Sequence, residues 1–242
     1  MNKDLLKNKN CVITGASGGL GKEISKLLVN QSCNIFMTGR NEEKLFDLKA
    51  ELELNNLSKV KISYESGDLS KIDDINKIII KIRKEFSSID ILINCAGVFL
   101  IKSLEESTLE DFENCFNVNV RGTFLFCKEF TTDMIKNKWG RIVNIGSSSS
   151  YQAFLNGSIY VASKFAVLGI SRTLYDELKE HNVRTFCISP GSIKTEMSKL
   201  STDQDYNTFL DPKEVAEFII FQMLFDKEMI VEESRLNRIT IR

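Results

Sequence analysis

Short apolar runs alternate with helix-spaced segments along almost the whole chain, and this alternation narrows the fold more than any other feature. Cys11-Val12-Ile13-Thr14 predicts a first strand, and Gly19 to Asn30 then sets Leu20, Ile24, Leu27 and Leu28 at helical spacing. Ile35 to Thr38 predicts a second strand, and Asn41 offers a cap for a helix reaching about Asn55. A third strand is expected over Val60–Tyr64, with Ser70 capping a helix that carries Ile72, Ile75, Ile78, Ile79 and Ile82. Ile89-Asp90-Ile91-Leu92-Ile93 is nearly all apolar, as expected of a central parallel strand covered on both faces. Helices are expected over Thr108–Val118 and Asn119–Lys136, then a fifth strand over Arg141–Ile145. A long helix over Gly157–Glu180 and a sixth strand over Val183–Ile188 follow. Asp211-Pro212-Lys213-Glu214 has a capping acid, a first-turn proline and an acid at the third position, so another helix opens there. Arg238–Ile241 is expected to be an edge strand. Together these predict an α/β fold: a Rossmann-type doubly wound parallel sheet of about seven strands with helices on both faces. Thr195 to Leu210 is the least regular stretch, and it follows a strand's carboxyl end, where such sheets bind ligands. It is the candidate substrate flap.

No linker, repeat or low-complexity tract divides the 242 residues, of which 43% are hydrophobic, so 1–242 is expected to be a single domain with a sizeable core. Basic and acidic residues nearly balance, 32 against 33, and no basic arm or charge block stands out. Neither nucleic acid nor a membrane is therefore an expected partner. No run approaches the roughly 20 apolar residues of a membrane-spanning helix. Met1 to Leu6 does not resemble a signal peptide, so a cytoplasmic location is expected. The six cysteines form no Cys-x-x-Cys and sit mostly in apolar runs, which favours reduced core thiols over disulfides or zinc. His181 is the single histidine, so no metal site is expected.

Gly15, Ser17, Gly19, Leu20 and Gly21 belong to the turn from the first strand into the first helix. Glycine there lets the backbone turn sharply and approach a pyrophosphate resting on helix N-terminal amides. The spacing fits Gly-x-x-x-Gly-x-Gly and, because Gly18 is present, also Gly-x-x-Gly-x-x-Gly, so the subtype stays open. An ordinary glycine-rich turn is the plain alternative. The second strand ends in Thr38-Gly39-Arg40-Asn41, with no carboxylate for a ribose diol. Arg40 offers a planar donor fork for a 2′-phosphate, with Thr38 and Asn41 as helpers. NADP(H) is favoured over NAD(H); the alternative is that Arg40 is a solvated surface charge.

Downstream lies Ser147, then Tyr160-x-x-x-Lys164. Positions four apart share one helical face, so an ammonium can sit beside a phenol whose ordinary pKa is about 10 and make it a usable acid or base. Tyr175 and Lys179 have the same spacing, but at the far end of the helix, and are expected to be a surface pair.

With these motifs in order, the chain resembles the short-chain dehydrogenase/reductase family over nearly its whole length. The resemblance is carried by Thr14-Gly15-x-x-x-Gly19-x-Gly21, Asp68-Leu69, Asn94-Cys95-Ala96-Gly97 and Asn119-Val120-x-Gly122. Ser147, Tyr160-x-x-x-Lys164 and Pro190-Gly191-x-x-x-Thr195 complete it. It implies that Tyr160 is the catalytic acid/base and that Lys164 bonds the nicotinamide ribose and lowers the Tyr160 pKa. Ser147 would hold the substrate carbonyl, and Asn119 would position a water. Asp68 and Leu69 would meet the adenine, and Asn94, Ala96 and Gly97 the adenosine ribose. Ile193 and Thr195 would bind the carboxamide, beside Pro190 and Gly191. The implied reaction interconverts a small-molecule carbonyl and its alcohol.

Two departures bear on the site. Cys95 stands where the family often has asparagine, and Gly146 where serine is common. Ser148 to Ser150 crowd Ser147, so its assignment rests on spacing. A non-catalytic NADP-binding sensor or scaffold on the same fold is the alternative, and it predicts loss of the active-site residues. An epimerase of the extended type would need a further substrate domain. The resemblance also implies a homodimer or homotetramer, built on the helices over Asn119–Lys136 and Gly157–Glu180. Phe124, Phe126, Phe130, Phe165 and Leu168 are apolar enough for that role, and core burial would explain them equally well. The segments expected to line the substrate pocket carry few charges, which favours an uncharged carbonyl.

Overall fold

Alternate residues of the first strand point to opposite faces of the sheet, and each face meets a separate core. A computed structural model describes residues 2, 4–54, 56–201 and 204–239. The first half runs β1 (Asn10–Thr14), α1 (Gly19–Asn30), β2 (Asn34–Gly39), α2 (Glu42–Leu54), β3 (Ile62–Ser66), α3 (Ile72–Glu85) and β4 (Ile91–Asn94). The second runs α4 (Leu109–Phe116), α5 (Thr123–Asn137), β5 (Gly140–Ile145), α6 (Ser158–Leu178), β6 (Val183–Pro190), α7 (Pro212–Met223) and β7 (Glu233–Leu236). The strands form one sheet in the order β3-β2-β1-β4-β5-β6-β7, parallel throughout.

Cys11 and Ile13 join the core under α1, α2 and α7, where Leu20, Ile24 and Leu28 of α1 pack with Leu45, Leu48, Ile219 and Met223. Val12 joins the opposite core, against Ile75, Ile78 and Ile82 of α3 and Phe126, Phe130 and Met134 of α5. Each such fully buried aliphatic or phenyl group stabilises the fold by roughly 1.5–3 kcal/mol. Arg141 is the one charged residue among the largest fully buried side chains described. Its guanidinium is held by Asp226 at 2.6 Å and the Phe225 carbonyl at 3.1 Å, and lies 4.4 Å from the Trp139 ring centroid. Burial pulls it down to about 10, although Asp226 acts the other way.

The strand order turns back on itself at β1, which pairs with both β2 and β4. The crevice at the carboxyl ends of these strands is where an open parallel sheet binds ligands. Among the described residues no helix is long and apolar enough to cross a membrane. All six cysteines are free.

Four sequence expectations need correction. The third strand begins at Ile62, not Val60. Ser70 does not cap α3: Lys71 occupies that position without a side-chain bond, and Ser70 sits in the preceding turn, its amide donating to Asp68 Oδ1 at 2.9 Å. The two helices expected to meet at residue 118 form one continuous run, with a π-helical turn over Asn117–Gly122 between α4 and α5. The edge strand is Glu233–Leu236 rather than 238–241. Arg238 instead bonds Thr208 at 2.9 Å and Gln204 at 2.7 Å, while Thr240 and Ile241 lie outside the described residues. Glu233 is anchored by the Tyr151 hydroxyl at 2.8 Å and by Arg172, which fixes the strand's register.

Candidate active site

The turn between β1 and α1 is shaped by close approach of backbone to backbone. Gly15 holds φ at +67°, and a Cβ there would lie 2.7 Å from Ala96 N and Cα. Thr14 Oγ1 accepts from the Ala96 amide at 3.1 Å, and the Thr38 carbonyl accepts from Ala16 N at 3.0 Å, so β1, β2 and the segment after β4 brace the turn. Gly18 caps α1 with no side chain, and the first turn carries no acidic residue. The leading N–H groups and the positive end of α1 therefore stay available to an anion.

A cavity of about 820 Å³ starts at this turn and runs over the carboxyl ends of β4, β5 and β6. Of the residues singled out from the sequence, Gly15, Ser17, Gly19, Leu20, Gly21, Gly97, Ser147, Tyr160, Lys164, Pro190, Gly191, Ile193 and Thr195 line it. The structure thus brings the glycine turn and the Ser/Tyr/Lys group together across one continuous space.

Beyond the turn, Arg40 is exposed and, among the described residues, enters no ion pair. Asn41 uses Oδ1 to cap α2, accepting from Lys44 N at 2.8 Å. Thr38 is fully buried and its hydroxyl has no partner, so its side chain cannot reach a phosphate outside the protein; only its carbonyl helps, by bracing the turn. Asp68 is half-buried, which works against its charge. The Ser70 amide and hydroxyl, and the nearby Arg40, outweigh that and hold the carboxyl below its ordinary range. Leu69 is packed into the core beneath α3 and α5.

Asn94 also departs from expectation. Its side chain is buried beneath the cavity floor, donating to Asn144 Oδ1 at 2.8 Å, and Asn144 donates in turn to Ser171 at 3.0 Å. It braces β4 to β5 and α6 rather than lining a ribose site. Ala96 contributes backbone next to Gly15. Asn119 sits in the π-helical turn, where its side chain accepts from Val98 N at 2.8 Å and donates to Val98 O and Ser163 Oγ, each at 3.0 Å. That side chain pins the segment after β4; it does not line the cavity, and Gly97 lies between.

Tyr160 and Lys164 lie one turn apart on α6, both buried, with Lys164 Nζ 5.8 Å from the phenol ring centroid. Nζ donates to the Ile145 carbonyl at 2.9 Å, which holds the ammonium at the end of β5. Ser147 follows that strand. Its Oγ accepts from Ser149 N at 3.1 Å, and its own amide donates to Ser150 Oγ, which donates to the Lys164 carbonyl. The serine turn and α6 are thus hydrogen-bonded into one unit. Ser148 and Ser149 also line the cavity. At Gly146 the space is tight: a Cβ would lie 2.5 Å from Ser189 Oγ on the neighbouring strand, so a larger residue needs that hydroxyl to shift.

Sequence reasoning passed over Lys44, which also lines the cavity; Gln152 and Gln204 line it from the stretches 147–160 and 192–210, where the substrate pocket was expected. Lys44 lies in the first turn of α2, four residues after Arg40. Cys95 lines it too; burial pushes its thiol up to about 12, with the Lys164 charge acting the other way. Tyr175 and Lys179 are a side pair, with the ammonium 5.3 Å from the ring centroid and bonded to exposed Asp176.

A parallel sheet with this crevice, this glycine turn and this Ser/Tyr/Lys group defines an oxidoreductase of the Rossmann type. Residues 9–205 match the family model for short chain dehydrogenases. An uncharacterized oxidoreductase of Staphylococcus saprophyticus is 33% identical over 94% of this chain and 96% of its own. The alcohol dehydrogenase of the archaeon Thermococcus sibiricus, solved with 5-hydroxy-NADP, superposes with a TM-score of 0.86 at 26% identity, covering 96% of this chain and 97% of that one. A short-chain dehydrogenase from Sphingobium yanoikuyae, solved with NADPH, gives a TM-score of 0.83 at 25% identity, covering 93% and 87%. The chain belongs to the short-chain dehydrogenase/reductase family.

Proposed function

We propose that this chain, acting as one NADP(H)-binding domain, interconverts a ketone or aldehyde with the corresponding alcohol. The observation that carries the reading is the continuous cavity joining the uncapped amide end of α1 to the buried Tyr160–Lys164 pair. The related alcohol dehydrogenase solved with an NADP derivative supports it.

The residues present fit a dinucleotide phosphate. The α1 amides and Ser17 would meet the pyrophosphate, Arg40 the 2′-phosphate, Gly97 and Lys164 the riboses, and Ile193 and Thr195 the carboxamide. When bound, the nicotinamide would supply or accept a hydride. The protein's own part is the proton. Tyr160 hands its phenolic proton to the carbonyl oxygen, or takes it back in the reverse direction. The Lys164 ammonium stabilises the negative charge that develops on the phenol oxygen. Ser147 Oγ already accepts from Ser149 N, so its own proton is free to donate to the substrate oxygen.

General acid–base assistance of this kind is worth about 10²–10⁴-fold. Tyr160→Phe is expected to lower kcat by that factor while the Kd for NADPH, measured by calorimetry, changes only a few-fold. Wild-type turnover in the variant would overturn the reading. We infer further that two or more copies associate through α5 and α6, where Phe124 and Phe165 remain exposed.

A further inference from the structure

We propose that the substrate end of the cavity selects an uncharged carbonyl compound bearing a flat, ring-sized apolar group, and that Phe99 and Phe154 do the selecting. This rests on the reading above, in which the carbonyl reacts at Tyr160. Phe99 meets the Tyr160 ring edge-on, with centroids 4.8 Å apart and planes at 87°. Phe154 lies 6.0 Å from Phe99 and 6.3 Å from Tyr160. A carbonyl within reach of the phenol therefore has two phenyl rings beside it.

Phe154 is partly exposed, at 36%, and local packing and a backbone bond brace the segment that carries it. Gly157, just before α6, leaves room for the Phe154 ring: a Cβ there would lie 2.6 Å from the ring's Cζ and Cε2. Asn156 adopts a left-handed φ of 62°, and its carbonyl accepts from Lys102 N at 2.8 Å. That bond ties the segment carrying Phe154 to the one carrying Phe99. Phe99 also packs against the small buried cluster of Cys115, Ile159 and Tyr160. Preorganised rings gain contact with a flat apolar group at little entropic cost.

Charge argues the same way. Among the described residues, the charged groups lining the cavity are Lys44, Lys164 and Glu196. Lys164 is committed beside Tyr160. Lys44 belongs to α2, by the nucleotide turn. Glu196 follows Thr195, whose methyl would lie 2.8 Å from a Cβ on Gly19, and its carboxylate is paired with Lys199 at 2.7 Å. None lies in the two segments that carry Phe99 and Phe154, where the polar neighbours Gln152 and Asn156 are neutral. A substrate carboxylate would meet no cation among the cavity-lining residues of those two segments.

The test compares acetophenone, 4-acetylbenzoate and 2-butanone with the NADPH-loaded enzyme, and reads ligand binding separately by saturation-transfer NMR. Acetophenone is expected to exceed both others in kcat/KM by about tenfold or more, the scale a shaped apolar pocket provides. Phe154→Ala is expected to collapse the acetophenone-to-butanone ratio and to weaken the acetophenone NMR signal. Gly157→Ala, which displaces the ring without removing it, should act in the same direction. Equal use of 4-acetylbenzoate and acetophenone, or a ratio unmoved in both folded variants, would overturn the inference while leaving carbonyl reduction intact. NMR binding of acetophenone that depends on Phe154, with no NADPH oxidised by any of the three, would sustain the inference and remove the proposed reaction.

Discussion

In the proposed reading, Arg40 carries the choice of cofactor. It follows β2, exposed, with no carboxylate at 38–41 to bind a ribose, and its charge acts on nearby Asp68. Charge-assisted hydrogen bonds contribute about 1.5–3 kcal/mol each. Arg40→Ala is therefore expected to raise the Kd for NADPH by about tenfold or more and to leave that for NADH within about twofold. Calorimetric titration of both nucleotides checks it; equal losses for the two would assign Arg40 to the surface.

At the level of the element, α4 has the most legible start in the chain. Thr108 and Asp111 form a reciprocal capping box, and Lys102 bonds Asp111 at 2.6 Å. Lys102 first, then the Thr108 amide and hydroxyl, bring the Asp111 carboxyl from its ordinary 3.8 down to about 2. A carboxyl depressed in the folded state stabilises above its unfolded pKa, and that contribution is lost as pH falls through the folded value. The window is from about pH 4 down to about pH 2. NMR titration should place the Asp111 midpoint near the lower end in the wild type, and Lys102→Ala should move it upward. An unmoved midpoint would assign the shift to the cap alone. The π-helical turn after α4 belongs to this scale too. It rotates Asn119 onto Val98 and Ser163, where its side chain holds the segment that carries Phe99.

Across the whole molecule, the two sheet faces are covered by helices while part of α5 and α6 is left apolar and open. Phe126, Phe130 and Leu168, which the sequence left undecided between core and interface, are buried; Phe124 and Phe165 are about half exposed, at 49% and 48%. Core helices with such side chains turned outward suit an isologous contact between copies. Sedimentation of the wild type at micromolar concentration is expected to give a dimer or tetramer, and Phe124→Glu combined with Phe165→Glu a monomer. A monomeric wild type would dispose of the assembly.

Local chemistry determined much of this protein. Helical spacing put Tyr160 beside Lys164, short apolar runs located most of the strands, and Asp211 capped α7 as its neighbours require, accepting from Lys213 N at 2.8 Å. Each of these depends on residues a few positions apart, so the sequence carries it. Other outcomes turned on partners far along the chain. Asn94 was drawn under the floor by Asn144, fifty positions away, and β7 was placed by Tyr151 and Arg172. Thr38 was sealed beneath the glycine turn, and Phe154 was set beside Phe99 by a backbone bond between two loops. Only the tertiary structure decides such matters, because burial and long-range hydrogen bonding are properties of the surfaces that meet, and no window of neighbouring residues contains them.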